Sequence, residues 1–447
     1  MKRSAKISYR SFWLLSAVVL ALFFTSKFWK SDQLISWDIS LYYSYLPATF
    51  IYHDLKVEKP ETMAAWQKMG QFYMNEDTDG HKFVKMTCGL AFLYSPFFFL
   101  SHGYALLSDA YPADGFSQPY RIGLLASTAF FTLLGMWFLR KTLLRFFSDG
   151  SVAITLAVVY LGTNLFYYSL KEPMSHAYNF FLVSLIFHLY FRYEDRPSLL
   201  KALGIGAASG LLVLIRPTDI LVLLFPAILF IRHNKEHITR HILAMIIAGI
   251  MGFAMLLPQL FYWHYMTGNW VIYSYNQERF FFSDPEIWKG LFSYRKGWVI
   301  YSPALVFAII GFGFLWFKDR LISVASLVTL FIALWVTFSW WCWWYGGGFG
   351  ARPMIDFLPL TAFAFAAVFE KLNIAPRLVK APVYLVLVAL CFCSVFYAKQ
   401  YKSTIIHHDS MSKELFWAQF MLDHHVQNFD QLIDPPDYDA AMRNEEE

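Results

Sequence analysis

Apolar runs of membrane-crossing length recur along most of the chain, at about 12–29, 120–139, 152–170, 175–193, 201–216, 218–232, 241–263, 298–317, 321–340, 354–370 and 381–399. A helix rises about 1.5 Å per residue, so roughly twenty apolar residues cross the hydrocarbon core. The pattern predicts an all-α polytopic membrane protein with about eleven transmembrane helices. A further apolar stretch, about 84–107, differs in kind. It contains Ser95, Pro96 and His102 and follows Lys82 and Lys85.

Basic residues between the runs decide how that stretch is read. Cytoplasmic loops are enriched in Lys and Arg. Arg140, Lys141 and Arg145 should share one face with Arg192, Arg196 and Lys201. Arg232, Lys235 and Arg240 should join them, as should Lys318, Arg320, Lys371, Arg377 and Lys380. With the N-terminus also cytoplasmic, all of these loops fall inside only if 84–107 lies in or dips into the outer face. Residues 30–119 then form one large external region with interfacial helices. Domain 1–399 is the membrane unit, and 400–447 is a short external tail. Lys2, Arg3, Lys6 and Arg10 precede the first run, and "FFTSKFWKSD" offers no small-x-small cleavage site, so an uncleaved first span is expected.

Composition agrees. Of 447 residues, 57% are hydrophobic and only 15% charged, below the usual quarter for a soluble domain. Aromatics reach 20%, which suits a protein with many membrane–water boundaries or a wide interfacial groove. The +5 net charge is spent in short loops and carries no sign of nucleic-acid binding. Cys88, Cys342, Cys391 and Cys393 lie in or beside apolar runs and read as inert thiols. In the tail, "KELFWAQFMLDHHVQNF" reads as an amphipathic helix on the membrane surface, and its pair His424–His425, with His407–His408 before it, is a weak metal motif.

This topology gathers the unusual polar residues on one face. "SWDISLYYSYLPATFIYHDL" places Asp38, Tyr42 and Tyr43 just beyond the first span. The external region adds Lys85 and Arg121. "YYSLKEPMSHAYNF" adds Glu172 and His176, and four residues apart they could pair across one helical turn. "IRPTDI" puts Arg216 and Asp219 at the tip of a short hairpin, where a local ion pair is the plain expectation. A long loop adds Arg295, and "WWCWWYGGGFGARP" adds Trp344, Tyr345 and Arg352.

An external site has no nucleotide sugars, so its substrate must arrive activated, and a lipid-linked phosphate is the obvious form. A sugar on a polyprenyl phosphate already has a good leaving group. The chemistry then asks for a carboxylate to take the acceptor's hydroxyl proton and for cations to hold the departing phosphate. Asp38 is the candidate base. Lys85, Arg121, Arg216, Arg295 and Arg352 are the candidate phosphate ligands. Tyr42, Tyr43, His176, Asp219, Trp344 and Tyr345 are candidate substrate contacts. The bilayer and a glycan, lipid or protein acceptor complete the partners. No carboxylate cluster asks for a metal; a divalent ion stays an open alternative, and no other cofactor is indicated. A transporter, flippase or ligase of lipid-linked glycans is the competing class. Such a transporter would line a through path with charges at mid-depth.

Four stretches, in order, resemble the GT-C superfamily of integral membrane glycosyltransferases, which includes the protein O-mannosyltransferases and the aminoarabinose transferase of lipid A. They are "WDISLYYSYLPATFIYHDL", "GLAFLYSPFFFLSH", "GLLVLIRPTD" and "WWYGGGFGARPMIDFLPL". The resemblance implies a polyprenyl-phosphate-sugar donor, an external active site in a bacterial inner membrane, and a catalytic acid at Asp38. Many members carry two adjacent acids there, whereas Ile39 follows Asp38. A second carboxylate would then come from elsewhere, with Glu172 the nearest candidate.

Overall fold

A computed structural model describes residues 6–67, 69, 71–234 and 238–445. Lys2, Arg3 and Lys235, used above to orient the chain, lie outside them, as does the Arg240 side chain.

Each of the eleven apolar runs is helical. The first is α1 (Lys6–Ser26). The external region holds α2 (Trp37–Tyr43), α3 (Tyr45–Phe50), α4 (Pro60–Trp66), a hairpin of β1 (Asn75–Glu76) with β2 (Lys82–Phe83), and α5 (Gly89–Leu106). Then come α6 (Gln118–Leu143), α7 (Asp149–Leu161), α8 (Leu165–Tyr168), α9 (Ser175–Asp195), α10 (Leu199–Ile215) and α11 (Leu224–Asn234). The second half holds α12 (Ile242–Ala254), α13 (Leu257–Thr267), α14 (Ile287–Phe292), α15 (Trp298–Tyr301), α16 (Leu305–Lys318), α17 (Arg320–Phe338), α18 (Leu358–Ile374) and α19 (Arg377–Lys402).

Six described helical segments are long and apolar enough to cross a membrane: Lys6–Lys30, Gln118–Leu143, Ile242–Thr267, Arg320–Phe338, Arg352–Ile374 and Arg377–Lys402. Their burial sorts them. Arg352–Ile374 is 94% buried, whereas Ile242–Thr267 and Arg377–Lys402 are 11% buried. A helix that is apolar on every side belongs either at the centre of a bundle or against lipid. Here α18 is the central post, packed by α7 and α16, and α12, α13 and α19 form the lipid-facing rim. Where α10 meets α12, a Cβ at Gly206 would stand 2.3 Å from the Ala248 carbonyl oxygen, and one at Gly210 would stand 2.3 Å from that of Gly252. Only glycine lets two helix backbones approach so closely.

The basic loops do gather at one end of the bundle. Arg145 pairs with Asp195 at 2.7 Å, Tyr193 bonds His241 at 2.8 Å, and Lys318 lies over the Phe147 ring. Asp149 joins them by accepting the Ile7 and Ser8 backbone N–H groups at 2.6 and 2.9 Å, satisfying orphan donors in the first turn of α1. Most of the stretch 84–107 forms α5, Gly89–Leu106. Its contacts fall on the first half of α6: Ser101 Oγ donates to the Pro119 carbonyl at 3.0 Å, and the Phe97 ring meets Phe130 and Phe131.

The tail departs from expectation. Only Lys413–Ala418 (α20) of the proposed surface helix is helical. Leu415 is fully buried, and Phe416 packs on Tyr294, Tyr301 and Tyr397. Leu415 and Phe416 are thus spent against the protein itself, while Trp417 and Phe420 stay exposed. The cysteines are all free thiols, with Cys88 and Cys342 buried.

Candidate active site

The end opposite the basic loops holds a cluster of buried charge. Asp38 sits in the first turn of α2, entered through Trp37 with φ of 52°. That entry is pinned by the Trp37 N–H donating to the Gln71 carbonyl at 3.0 Å. Arg352 Nη2 lies 3.2 Å from Asp38 Oδ2, joining residues 314 positions apart. The Asp38 side chain is 26% exposed and that of Arg352 14%, so the pair is half-buried with one open side. The second Arg352 terminal nitrogen, Nη1, contacts Met174 Sδ at 3.1 Å, and its Nε is buried with no hydrogen-bond partner.

Arg352 opens a 3-10 turn, Arg352–Phe357, that carries Asp356 one turn further on. Asp356 Oδ2 stands 3.1 Å from His176 Nδ1 and 3.6 Å from Arg216 Nε. Arg216 is the last residue before Pro217 stops α10, and it reaches Asp219 at 3.9 Å. Asn179 Nδ2 donates to Asp219 at 2.5 Å. Tyr42, one turn after Asp38, is buried beside Arg216, Arg352 and Ser175. Burial pushes its hydroxyl up to about 12 while Arg216 pulls it down, so it stays a protonated donor.

The glycine-rich loop forms the wall. Tyr345, Gly346 and Gly350 all have positive φ. The Phe349 N–H donates to Tyr168 Oη at 2.7 Å. Lys296 Nζ donates to the carbonyls of Gly348 and His408, bridging loop and tail. Its ammonium is pushed down to about 7, first by burial and then by Arg352. Gly350 has φ of +61°, and a Cβ there would meet Tyr301 Cβ at 3.0 Å, whereas Gly346 has the same φ and open space. Gly350→Ala is therefore expected to cost about 1–3 kcal/mol and Gly346→Ala less, since only the former adds a clash to the strain. Thermal unfolding of the purified variants measures the order, and equal midpoints would show that the wall relaxes freely.

Of the residues singled out from sequence, Asp38, Tyr42, His176, Arg216, Asp219, Tyr345 and Arg352 come together. Glu172 borders them, accepting from Tyr167 Oη at 2.7 Å. It does not pair with His176, because α9 begins only at Ser175 and the chain between the two is not helical. Lys85 stands at the edge, paired with Glu278 and lying over the Tyr275 ring. Arg121 pairs with exposed Asp32. Arg295 is tied to the tail, donating to the Asp409 and Asp434 carbonyls at 2.9 Å. Trp344 is buried between Arg295 and Tyr438. Tyr43 donates to the Gly115 carbonyl at 2.6 Å and packs on Tyr94 and Phe98, away from the charges.

Asp356 and Asn179 were missed, and Lys296 was read only as one more charge of the long external loop. The available signals were an acid four residues after Arg352 and an amide three after His176. Among the described residues, metal-like groupings occur at His407, His408 and Asp409 and at Asp77, Asp79 and His81. Neither includes the charge cluster. Asp409 is already engaged by Ser410 and Tyr438, and His424–His425 join neither grouping. A separate cavity of about 910 Å³ lies between α14 and the tail, lined by Trp288, Phe292, Arg295 and Trp343, and Asp38 and Arg216 take no part in it.

No known protein family's sequence pattern matches the chain, and no curated protein matches it. The crystal structure of ArnT from Cupriavidus metallidurans in the apo state does match, with a TM-score of 0.53 and 11% identity. The alignment covers 88% of this chain and 65% of that one, so the chain spans just under two thirds of the length of ArnT. At that identity the likeness speaks for the fold alone: this chain has the polytopic helical membrane architecture of ArnT.

Proposed function

We propose that this protein is a membrane glycosyltransferase that moves one sugar from a polyprenyl phosphate to a hydroxyl on a lipid-linked glycan, lipid A or a protein. The observation that carries the reading is the half-buried Asp38–Arg352 pair, with Arg216 beside it and the Nε atoms of both arginines unpartnered. In this reading Asp38 takes the acceptor proton as the oxygen attacks the anomeric carbon. The bond to the phosphate breaks, and Arg352 and Arg216 hold the phosphate's charge as it leaves. Tyr42 and Tyr345 line the sugar's place. Glu172 is too committed to Tyr167 to serve as a second base. One carboxylate at the cation suits a single displacement with inversion, whereas two carboxylates at nucleophile separation would suit retention. The basic-loop end faces the cytoplasm and the site faces outward, in a bacterial inner membrane.

The test is sugar transfer by washed membranes carrying the protein, supplied with a labelled polyprenyl-phosphate sugar or with the matching nucleotide sugar. Transfer from the lipid-linked donor alone is expected. Transfer from the nucleotide sugar alone would defeat the reading. So would passage of intact lipid-linked glycan across vesicles without transfer, which would make the protein a transporter.

A further inference from the structure

The carboxylates behind Arg216 have no part in the reaction as drawn. Asp356 and Asp219 are buried to 0% and 2% exposure, and His176 to 0%. Burying charge is costly unless it is paired and positioned, so such a group needs a reason to be there.

Three segments far apart in sequence are knitted at this point. The start of α9 touches each of the others: Met174 contacts Arg352, His176 contacts Asp356, and Asn179 contacts Asp219. The 3-10 turn Arg352–Phe357 presents Arg352 to Asp38 and Asp356 to Arg216. The turn after α10 returns Asp219 toward Arg216, with the Asp219 N–H bonded to the Arg216 carbonyl at 2.9 Å. The two carboxylates face Arg216 at 3.6 and 3.9 Å, longer than hydrogen bonds, and its Nε has no hydrogen-bond partner. They can therefore orient the guanidinium from its buried Nε side and leave the terminal nitrogens to an anion.

We propose that Asp356, braced by His176, is a positioning residue that aims Arg216 at the donor's phosphate and fixes its spacing from Arg352. This rests on the donor reading above. Asp356 touches no reacting atom; it acts through Arg216.

Charge and position predict different outcomes. Asp356→Asn adds no negative charge beside Arg216, so electrostatics alone would leave the binding of an anion unchanged or tighter. Loss of aim would weaken it. The experiment measures the Kd of undecaprenyl phosphate, by tryptophan fluorescence, for wild type, Arg216→Ala, Asp356→Asn and the double variant, each confirmed as folded by its thermal midpoint. Asp356→Asn is expected to weaken binding about tenfold although it takes no positive charge away, with the double variant no weaker than Arg216→Ala, because the two residues act as one unit. Unchanged or tighter binding by Asp356→Asn overturns the proposal, as does strict additivity in the double variant. If Asp356→Asn does not fold, Asp219→Asn carries the same expectation through the same guanidinium. Wild type that fails to bind the probe at all defeats the donor reading itself, which no result among the variants of a binding protein can do.

Discussion

Asp38→Asn should transfer sugar at least about a hundredfold more slowly than wild type, the usual loss when a general base is removed. The amide is close to isosteric, and its oxygen can still accept from Arg352 Nη2, so the contact seen at 3.2 Å is retained. What disappears is a group able to take the acceptor's proton. The loss should fall on kcat, with the donor KM little changed, because a group needed only in the transition state contributes there alone. Steady-state transfer at matched protein levels measures both. Full activity would reduce Asp38 to a counter-ion of Arg352. The base would then have to be Glu172, held by Tyr167, or Asp219, held by Asn179, and both are worse placed.

Arg352→Ala should cost about a hundredfold to a thousandfold in kcat/KM, the range for losing a donor aimed at developing charge. Arg352 does two jobs in this reading: it meets Asp38, and its guanidinium, with Nε lacking a hydrogen-bond partner, is there to meet a phosphate. Its removal leaves a carboxylate that is 26% exposed and can find water, so the fold should survive and the loss reports on chemistry. Arg352→Lys keeps the charge but not the planar fork, and recovery of less than a tenth of wild-type activity is expected. The kinetics of both variants, beside their thermal midpoints, decide the matter. A lysine variant with wild-type rates would show that a point charge suffices and that guanidinium geometry is irrelevant.

The bundle was legible because long apolar runs have few alternatives to helix. Breaks within runs were not: Met255–Leu256 separates α12 from α13 just before Pro258, and Ser302–Ala304, around Pro303, separates α15 from α16. The tail misled for another reason. An apolar stripe shows that a face is buried, and nothing in "KELFWAQF" says whether lipid or Tyr294 buries it. In the site, Asp38, Arg216 and Arg352 stood out as charges beside apolar runs. Asp356 did not, because an acid after Arg and Pro reads as the solvated rim of a helix. Lys296 did not either, since "YRKG" looks like any exposed turn, although the two adjacent cations face separate partners in the tail.

The roof over the site is hung from the edge of the molecule. One support is Lys296, between α14 and α15; the other is His408, in the tail that follows α19. The helix α19 is one of the crossing segments with only 11% burial, while Arg352 and Asp356 head the post with 94%. A bilayer whose thickness forces α19 to tilt would strain the His408 end of the Lys296 bridge before it moved the central post, so hydrophobic mismatch acts on this site from the tail inward.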